Sequence, residues 1–416
     1  MAINISFLDM KRIVDAPERT NWSDATEHIN TERNKIESAL KNGSLGPVYG
    51  FDSLLGPLDH ESTFNGYQRV LLKWHLLGNP SRINQRLGRW ITACKLQQLS
   101  RGGSGISGES FSAIAQAFTS GADIPYLIDL DASYSSADVV PGAWWVKSIL
   151  GDNAWCLPEG DLIALISGNF ITLGVLSFAC EQFATELARL FSVLSCSGYR
   201  AKTTHRLSSN FLQTLKLSNL TDERPQQSVL RRDCTPLIEG IFSCIGISIR
   251  QLESAYAEKS ANPLFEFGDA NTVHALSNSS FLNFDDAKTA NDLSRGIILA
   301  ARWAQRILRN TCEDRLSEPG EANNPQWVQY PKVALAYVLG IEAQQVNPIQ
   351  LTGDESSGVE DLWDGGLIAA QGALRQLELL HKVCNLLVQC LEEANVCLVP
   401  CNMDQVLQWA ESQVAM

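Results

Sequence analysis

The stretch "LIALISGNFITLGVLSFAC", residues 162–180, carries no charged side chain. A run of that length must leave water, and few structures can take it. It either crosses a bilayer or lies as a helix inside a large helical core. Ser167, Gly168, Asn169, Thr172 and Ser177 interrupt the run, and the charged "EQFATELARLF" follows directly. Polar groups at that density are costly in lipid, whereas a protein core can pair them. The reading is a buried helix of a soluble protein with no membrane partner.

A helix buried on every side needs other helices around it, and the sequence supplies them. "ATEHINTERNKIESALKNG" has a helical pattern that stops at Gly43. "GIILAARWAQRILRN" alternates apolar and basic faces at helical spacing. "GGLIAAQGALRQLELLHKVCNLLVQCLEEAN" sets Leu377, Leu380, Cys384, Leu387 and Leu391 on one stripe. Residues 46–160 are richer in Gly, Pro and short turns, strand signals are short and few, and no repeat of fixed period is visible. The expected fold class is mainly α: a bundle of long helices over residues 161–416 with a smaller loop-rich region over 1–160, together one domain.

Charge excludes some partners. The 416-residue chain has a net charge of −13, so a nucleic-acid partner or an anionic membrane surface is not expected. A small-molecule substrate suits it better. Eleven cysteines stand at irregular spacing with no CxxC pair, as in a reduced, cytoplasmic protein. The start, "MAINISFLDMKRIVD", has no basic segment followed by an apolar one, so no secretory leader is expected.

Common chemical motifs fail. "GSGISG" (103–108) fits G-x-G-x-x-G, but "ITACKLQQLSRG" before it reads as helix, where a dinucleotide site needs a strand. The six histidines show no metal-ligand spacing, so no metal is expected. No G-x-S-x-G elbow is present.

Seven stretches taken in order do carry a pattern. "GPVYGFDSLLG", "YQRVLLKWH", "SRGGSGIS", "EGDLIALISGN", "LRRDCTPLIEG", "NPLF" with "LSNSSFLNF", and "VNPIQL" with "GVEDLWDGG" run from about residue 40 to 395. In that order they resemble the conserved blocks of the histidine and phenylalanine ammonia-lyase family, such as V-Y-G-x-N-T-G-F-G, E-G-L-A-L-x-N-G-T and N-Q-E-D-x-x-S-M-G. The resemblance implies the family's long-helix fold, a homotetramer whose active sites draw on more than one chain, and a lyase activity. This chain is shorter than usual members, so a dimer is the other assembly expected.

In that family an Ala-Ser-Gly triad cyclises to the electrophile 4-methylideneimidazole-5-one. The resemblance lays Ser135, Ser136 and Ala137 of "SYSSADVVP" on the triad. Ser136 keeps the hydroxyl that dehydrates, but Ala137 replaces the glycine that accepts compressed backbone without a Cβ penalty. The family's asparagine that hydrogen-bonds the group becomes Ser167, and the asparagine of its G-N-F-H-G block becomes Ser280. The expectation is an enzyme without this group or any other cofactor. It would carry out elimination, isomerisation or ring closure, as in a specialised biosynthetic pathway. A cyclising Ser-Ser-Ala triad in a true ammonia-lyase or aminomutase is one alternative, and a catalytically inactive binding scaffold is another.

The resemblance also assigns roles. Tyr49 falls on the family's general base; a tyrosine titrates near ~10 and needs help to act near neutrality. His75 and Glu360 fall on proton-handling positions. Arg231 or Arg232 falls near the arginine that pairs with the substrate carboxylate, a task suited to a guanidinium fork. Phe281, Ser167 and Ser280 complete the substrate-binding set. Packing and ordinary ion pairing are the plain readings of the same residues.

Overall fold

The computed structural model describes residues 5–133, 138–194, 199–204, 207, 209–215, 217, 228–269, 272–321, 324–344, 362–396, 398 and 400–412. The chain is mainly helical. In order the helices are α1 (Phe7–Asp15), α2 (Ser23–Lys41), α3 (Tyr67–His75), α4 (Gln85–Ser100), α5 (Gly108–Thr119), α6 (Val139–Leu150), α7 (Asp161–Ile166), α8 (Phe170–Leu194), α9 (Ser209–Thr214), α10 (Val229–Arg232), α11 (Thr235–Ala257), α12 (Phe284–Leu316), α13 (Pro325–Ala343), α14 (Gly366–Glu393) and α15 (Met403–Ser412). Two short antiparallel pairs complete the described elements: β1 (Ser81–Arg82) with β2 (Leu127–Ile128), and β3 (Leu264–Phe267) with β4 (Val273–Leu276).

The chain forms two compact units. The first comprises residues 1–178, 251–288 and 348–371; the second comprises 179–250, 289–347 and 372–416.

In the first unit α4 is the central helix. Asn84 caps it by accepting from the Arg86 N–H, and almost every residue from Leu87 to Leu99 is buried. Phe7 of α1 stacks on its Trp90 at 5.3 Å between ring centroids. On another face α8 crosses very closely: a Cβ on Gly174 would lie 2.6 Å from the Ile91 Cα. Only glycine permits that approach.

The uncharged stretch is buried, as expected of a core helix rather than a span. It is not one helix. α7 stops at Ile166, Ser167 turns extended, Gly168 takes φ +107°, and α8 starts at Phe170. A left-handed residue cannot continue a right-handed helix, and Gly is the residue that adopts it without strain.

The second unit is held by aromatic packing. Phe191 of α8 stacks on Phe242 of α11 at 5.6 Å and meets Trp303 of α12 edge-on at 6.3 Å. Phe211 of α9 meets Trp409 of α15 at 4.4 Å. The stripe Leu377, Leu380, Cys384, Leu387 and Leu391 of α14 is buried as its spacing predicts.

Candidate active site

The break at 167–169 is where buried polar groups collect, all of them within the first unit. α4 sends two side chains to it. Lys95 Nζ donates to the Ser167 carbonyl at 2.7 Å, and Gln98 Nε2 donates to Asn169 Oδ1 at 2.8 Å. These bonds satisfy groups that the interrupted helix leaves open. Lys95 is only 1% exposed, and its ammonium sits 4.6 Å from the Phe170 ring centre. Among the described residues no carboxylate pairs with it. Burial without a counter-charge pushes its pKa down to about 7.

Asn169 passes the connection on: its Nδ2 donates to Asp286 Oδ2 at 2.9 Å. Asp286, in the first turn of α12, is 2% exposed. Burial raises its pKa well above the carboxylate range, and the charge of nearby Asp364 raises it further. Asp364 accepts from the backbone N–H groups of Asn283 at 2.9 Å and Gly366 at 2.8 Å. Burial nevertheless pushes it up to about 7, and Asp138 adds to the shift. Asp138 is buried and raised for the same reason, although hydroxyls oppose the shift. Thr172 donates to it at 2.6 Å, and so does Ser133 at 2.6 Å. Three carboxyls that feel one another in a dry site cannot all ionise at neutral pH.

Ser133 and Asp138 bracket the triad positions Ser135, Ser136 and Ala137. Those three, like Glu360, lie outside the described residues. The Ser133–Asp138 hydrogen bond ties the two ends of that segment together, and Asp138 itself holds φ +48°, a costly conformation for a side-chain-bearing residue.

The other sequence-derived positions are placed as follows. Ser167 Oγ accepts from the Asn262 N–H at 2.9 Å. Ser280 Oγ donates to the Ala261 carbonyl at 2.9 Å and accepts from its N–H at 3.2 Å. The two serines therefore meet at one segment, residues 261–262, and Phe281 follows half-buried. Tyr49 is half-buried with a buried hydroxyl. Its loop is pinned to α7 through Gln68 of α3, whose amide donates to the Gly50 carbonyl at 3.1 Å and accepts from the Leu162 N–H at 3.2 Å. His75 ends α3 with Nδ1 2.8 Å from the Leu71 carbonyl, which places the ring proton on Nδ1; burial lowers its pKa. Arg231 belongs to the second unit, where it pairs with Asp314 at 2.5 Å. Arg232 beside it is exposed.

Sequence reasoning missed Lys95, Gln98, Asn169, Asp286 and Asp364. One signal was available: Lys95 is the only charge between Arg89 and Arg101, inside an otherwise uncharged helical run.

Residues 5–158 match the sequence profile described as aromatic amino acid lyase. Over that N-terminal stretch the chain is similar to the aromatic amino acid lyase family. Solved structures agree with this lyase-family fold. Pantoea agglomerans phenylalanine aminomutase superposes with a TM-score of 0.75 at 15% identity, covering 98% of this chain and 92% of that one. Ergothionase from Treponema denticola, an ergothioneine-degrading enzyme, gives 0.69 at 14% identity, covering 99% and 97%. Histidine ammonia-lyase from Trypanosoma cruzi gives 0.67 at 17% identity, covering 97% and 90%. No curated protein sequence is a significant match to the chain. The ammonia-lyase resemblance read from the seven sequence blocks is thus borne out for family and fold.

Proposed function

We propose that this lyase-family chain is an enzyme working by acid–base chemistry of its own side chains, without a 4-methylideneimidazole-5-one group. Its substrate is a small molecule bearing a carboxylate or similar anion, and its reaction is an elimination, isomerisation or ring closure. The observation that carries the reading is the buried network around the 133–138 segment. Lys95 and Asp364 there both change protonation at about 7. Such reactions need one group to take a proton from carbon and another to deliver one to the departing or rearranging atom. Environments that bring a lysine down and a carboxyl up to the same pH are most frequent at sites built for proton transfer, where Tyr49, His75 and Glu360 are the proposed acid–base groups.

The surroundings of the triad segment do not suit the cyclised group. At the position where the family's asparagine hydrogen-bonds it, this chain has Ser167, whose oxygen is committed to the Asn262 N–H. Buried acids with raised pKa, Asp138 and Asp286, belong to the same network. In the proposed reaction Tyr49 takes the proton from substrate carbon. His75, neutral and with Nε2 open as an acceptor, or Glu360 manages the second proton. Ser167, Ser280 and Phe281 of the first unit shape the pocket. The proposed assembly is a cytoplasmic homo-oligomer, tetramer or dimer. Differently named enzymes on this fold, aminomutase, ammonia-lyase and ergothionase, support the view that fold does not settle the reaction.

The test is the intact mass of the purified protein beside its Ser136→Ala variant, followed by a turnover screen. An encoded mass, with turnover lost in Tyr49→Phe and kept in Ser136→Ala, is expected. A mass short by the two waters of cyclisation, restored in Ser136→Ala, would overturn the proposal in favour of a family-type electrophile. Ligand binding unaffected by both substitutions, with no turnover, would mark a binding scaffold.

A further inference from the structure

Two buried thiols in the second unit have no place in that chemistry. Cys312, near the end of α12, and Cys390, near the end of α14, are 1% and 0% exposed, and their sulfurs lie 3.7 Å apart. We propose that Cys312 and Cys390 form a redox-sensitive staple between α12 and α14, closed by peroxide. A disulfide needs its sulfurs at about 2.05 Å, so closure requires an approach of roughly 1.7 Å, within reach of small side-chain rotations.

Three features support it. The cysteines face each other from two long helices of one unit, with 77 residues between them in the chain, so a bond there crosslinks distant segments. The contact is polarised: the interaction between the two sulfurs lowers the Cys312 pKa and raises that of Cys390. Cys312 is thereby the nucleophile of the pair. Finally, an open cleft of about 220 Å³ is lined by Thr311 and Leu391, the immediate chain neighbours of the two cysteines, together with Ile307 and Ala394. The cleft brings solvent to the residues adjoining both cysteines. Three other buried thiols of this unit, Cys234, Cys244 and Cys384, have pKa values raised by burial, which keeps them protonated and slow to react.

The chemistry balances. The Cys312 thiolate attacks one peroxide oxygen, the O–O bond breaks, and hydroxide leaves to take up a proton as water; Cys312 becomes a sulfenic acid. The Cys390 sulfur attacks the Cys312 sulfur, losing its proton and expelling the sulfenic oxygen as a second water. Two thiols are oxidised by two electrons in total and one peroxide is reduced to two waters. A small thiol such as dithiothreitol reverses the bond by exchange.

The experiment is peptide mapping by mass spectrometry after graded hydrogen peroxide treatment of the full chain, with and without dithiothreitol. The expected result is a crosslinked peptide pair containing Cys312 and Cys390, lighter by about 2 Da than the two free peptides and restored by reduction. Thermal melting of the oxidised protein should rise, and Cys312→Ala and Cys390→Ala should each abolish both effects. Sulfinic or sulfonic acid on Cys312 with no crosslink would overturn the proposal. So would unmodified Cys312 and Cys390 at peroxide levels that oxidise the exposed Cys156. The wild-type map decides the matter even if a variant fails to fold.

Discussion

The two units of this chain use burial for opposite ends. In the second, Phe191, Phe211, Phe242, Trp303 and Trp409 pack ring against ring. In the first, the interior around α4 holds a lysine and three carboxyls that water would solvate better. Apolar rings gain by leaving water, whereas ionisable groups lose. The first unit therefore gives up stability at the place where the chain breaks a helix, and such a sacrifice is commonest at functional sites.

The sharpest way to break this contrast is to cut into each interior. Trp303→Ala in the second unit should cost about 3–5 kcal/mol, because the cavity cannot refill. Urea unfolding measures it. A loss below about 1 kcal/mol would mean that the aromatic cluster is not the core it resembles.

A subtler effect is expected in the first unit, and pH exposes it. Asp364 holds its proton up to about 7 in the folded chain but only to 3.8 as a free group. Between those values the folded state carries more protons, so its contribution to stability falls as pH rises. Lys95 is protonated only below about 7 when folded, against 10.5 when free. Between those values the unfolded state carries more protons, so stability recovers as pH rises further. Together the two groups place a minimum near pH 7, on the order of a few kcal/mol deep. Asp364→Asn should flatten the acid limb and leave the alkaline limb in place. A stability profile in which wild type and Asp364→Asn coincide from pH 4 to 7 would remove the buried-acid account.

The smallest effect tests whether the second unit shares in the chemistry. The Arg231–Asp314 pair is partly exposed, so Arg231→Ala should change stability by less than about 1 kcal/mol. If Arg231 anchors the substrate, KM should rise while the melting temperature stays. An unchanged KM assigns Arg231 to the ion pair alone.

Much of the fold was legible beforehand. The helix ending ahead of Gly43 and the buried stripe of α14 follow from period and composition, because apolar spacing depends on local geometry. The hydrophobic run of 162–180 was rightly read as core, yet its continuity was misjudged. Ser167, Gly168 and Asn169 read as polar residues tolerated within one helix. They are a break, held open by Lys95 and Gln98, some 70 positions earlier in the chain.

The candidate site divides in the same way. Tyr49, His75, Ser167, Ser280 and the 135–137 triad came from motif order alone. Lys95, Asn169, Asp286 and Asp364 did not, since no local spacing links them; the first sits mid-helix and the last two look like ordinary helix-start acids. By itself the sequence determined that this is a helical, acidic chain of the ammonia-lyase type, because hydrophobic period and motif order are written along the chain. Only the tertiary structure decided which charges go without water, because desolvation depends on neighbours that the fold gathers from distant segments.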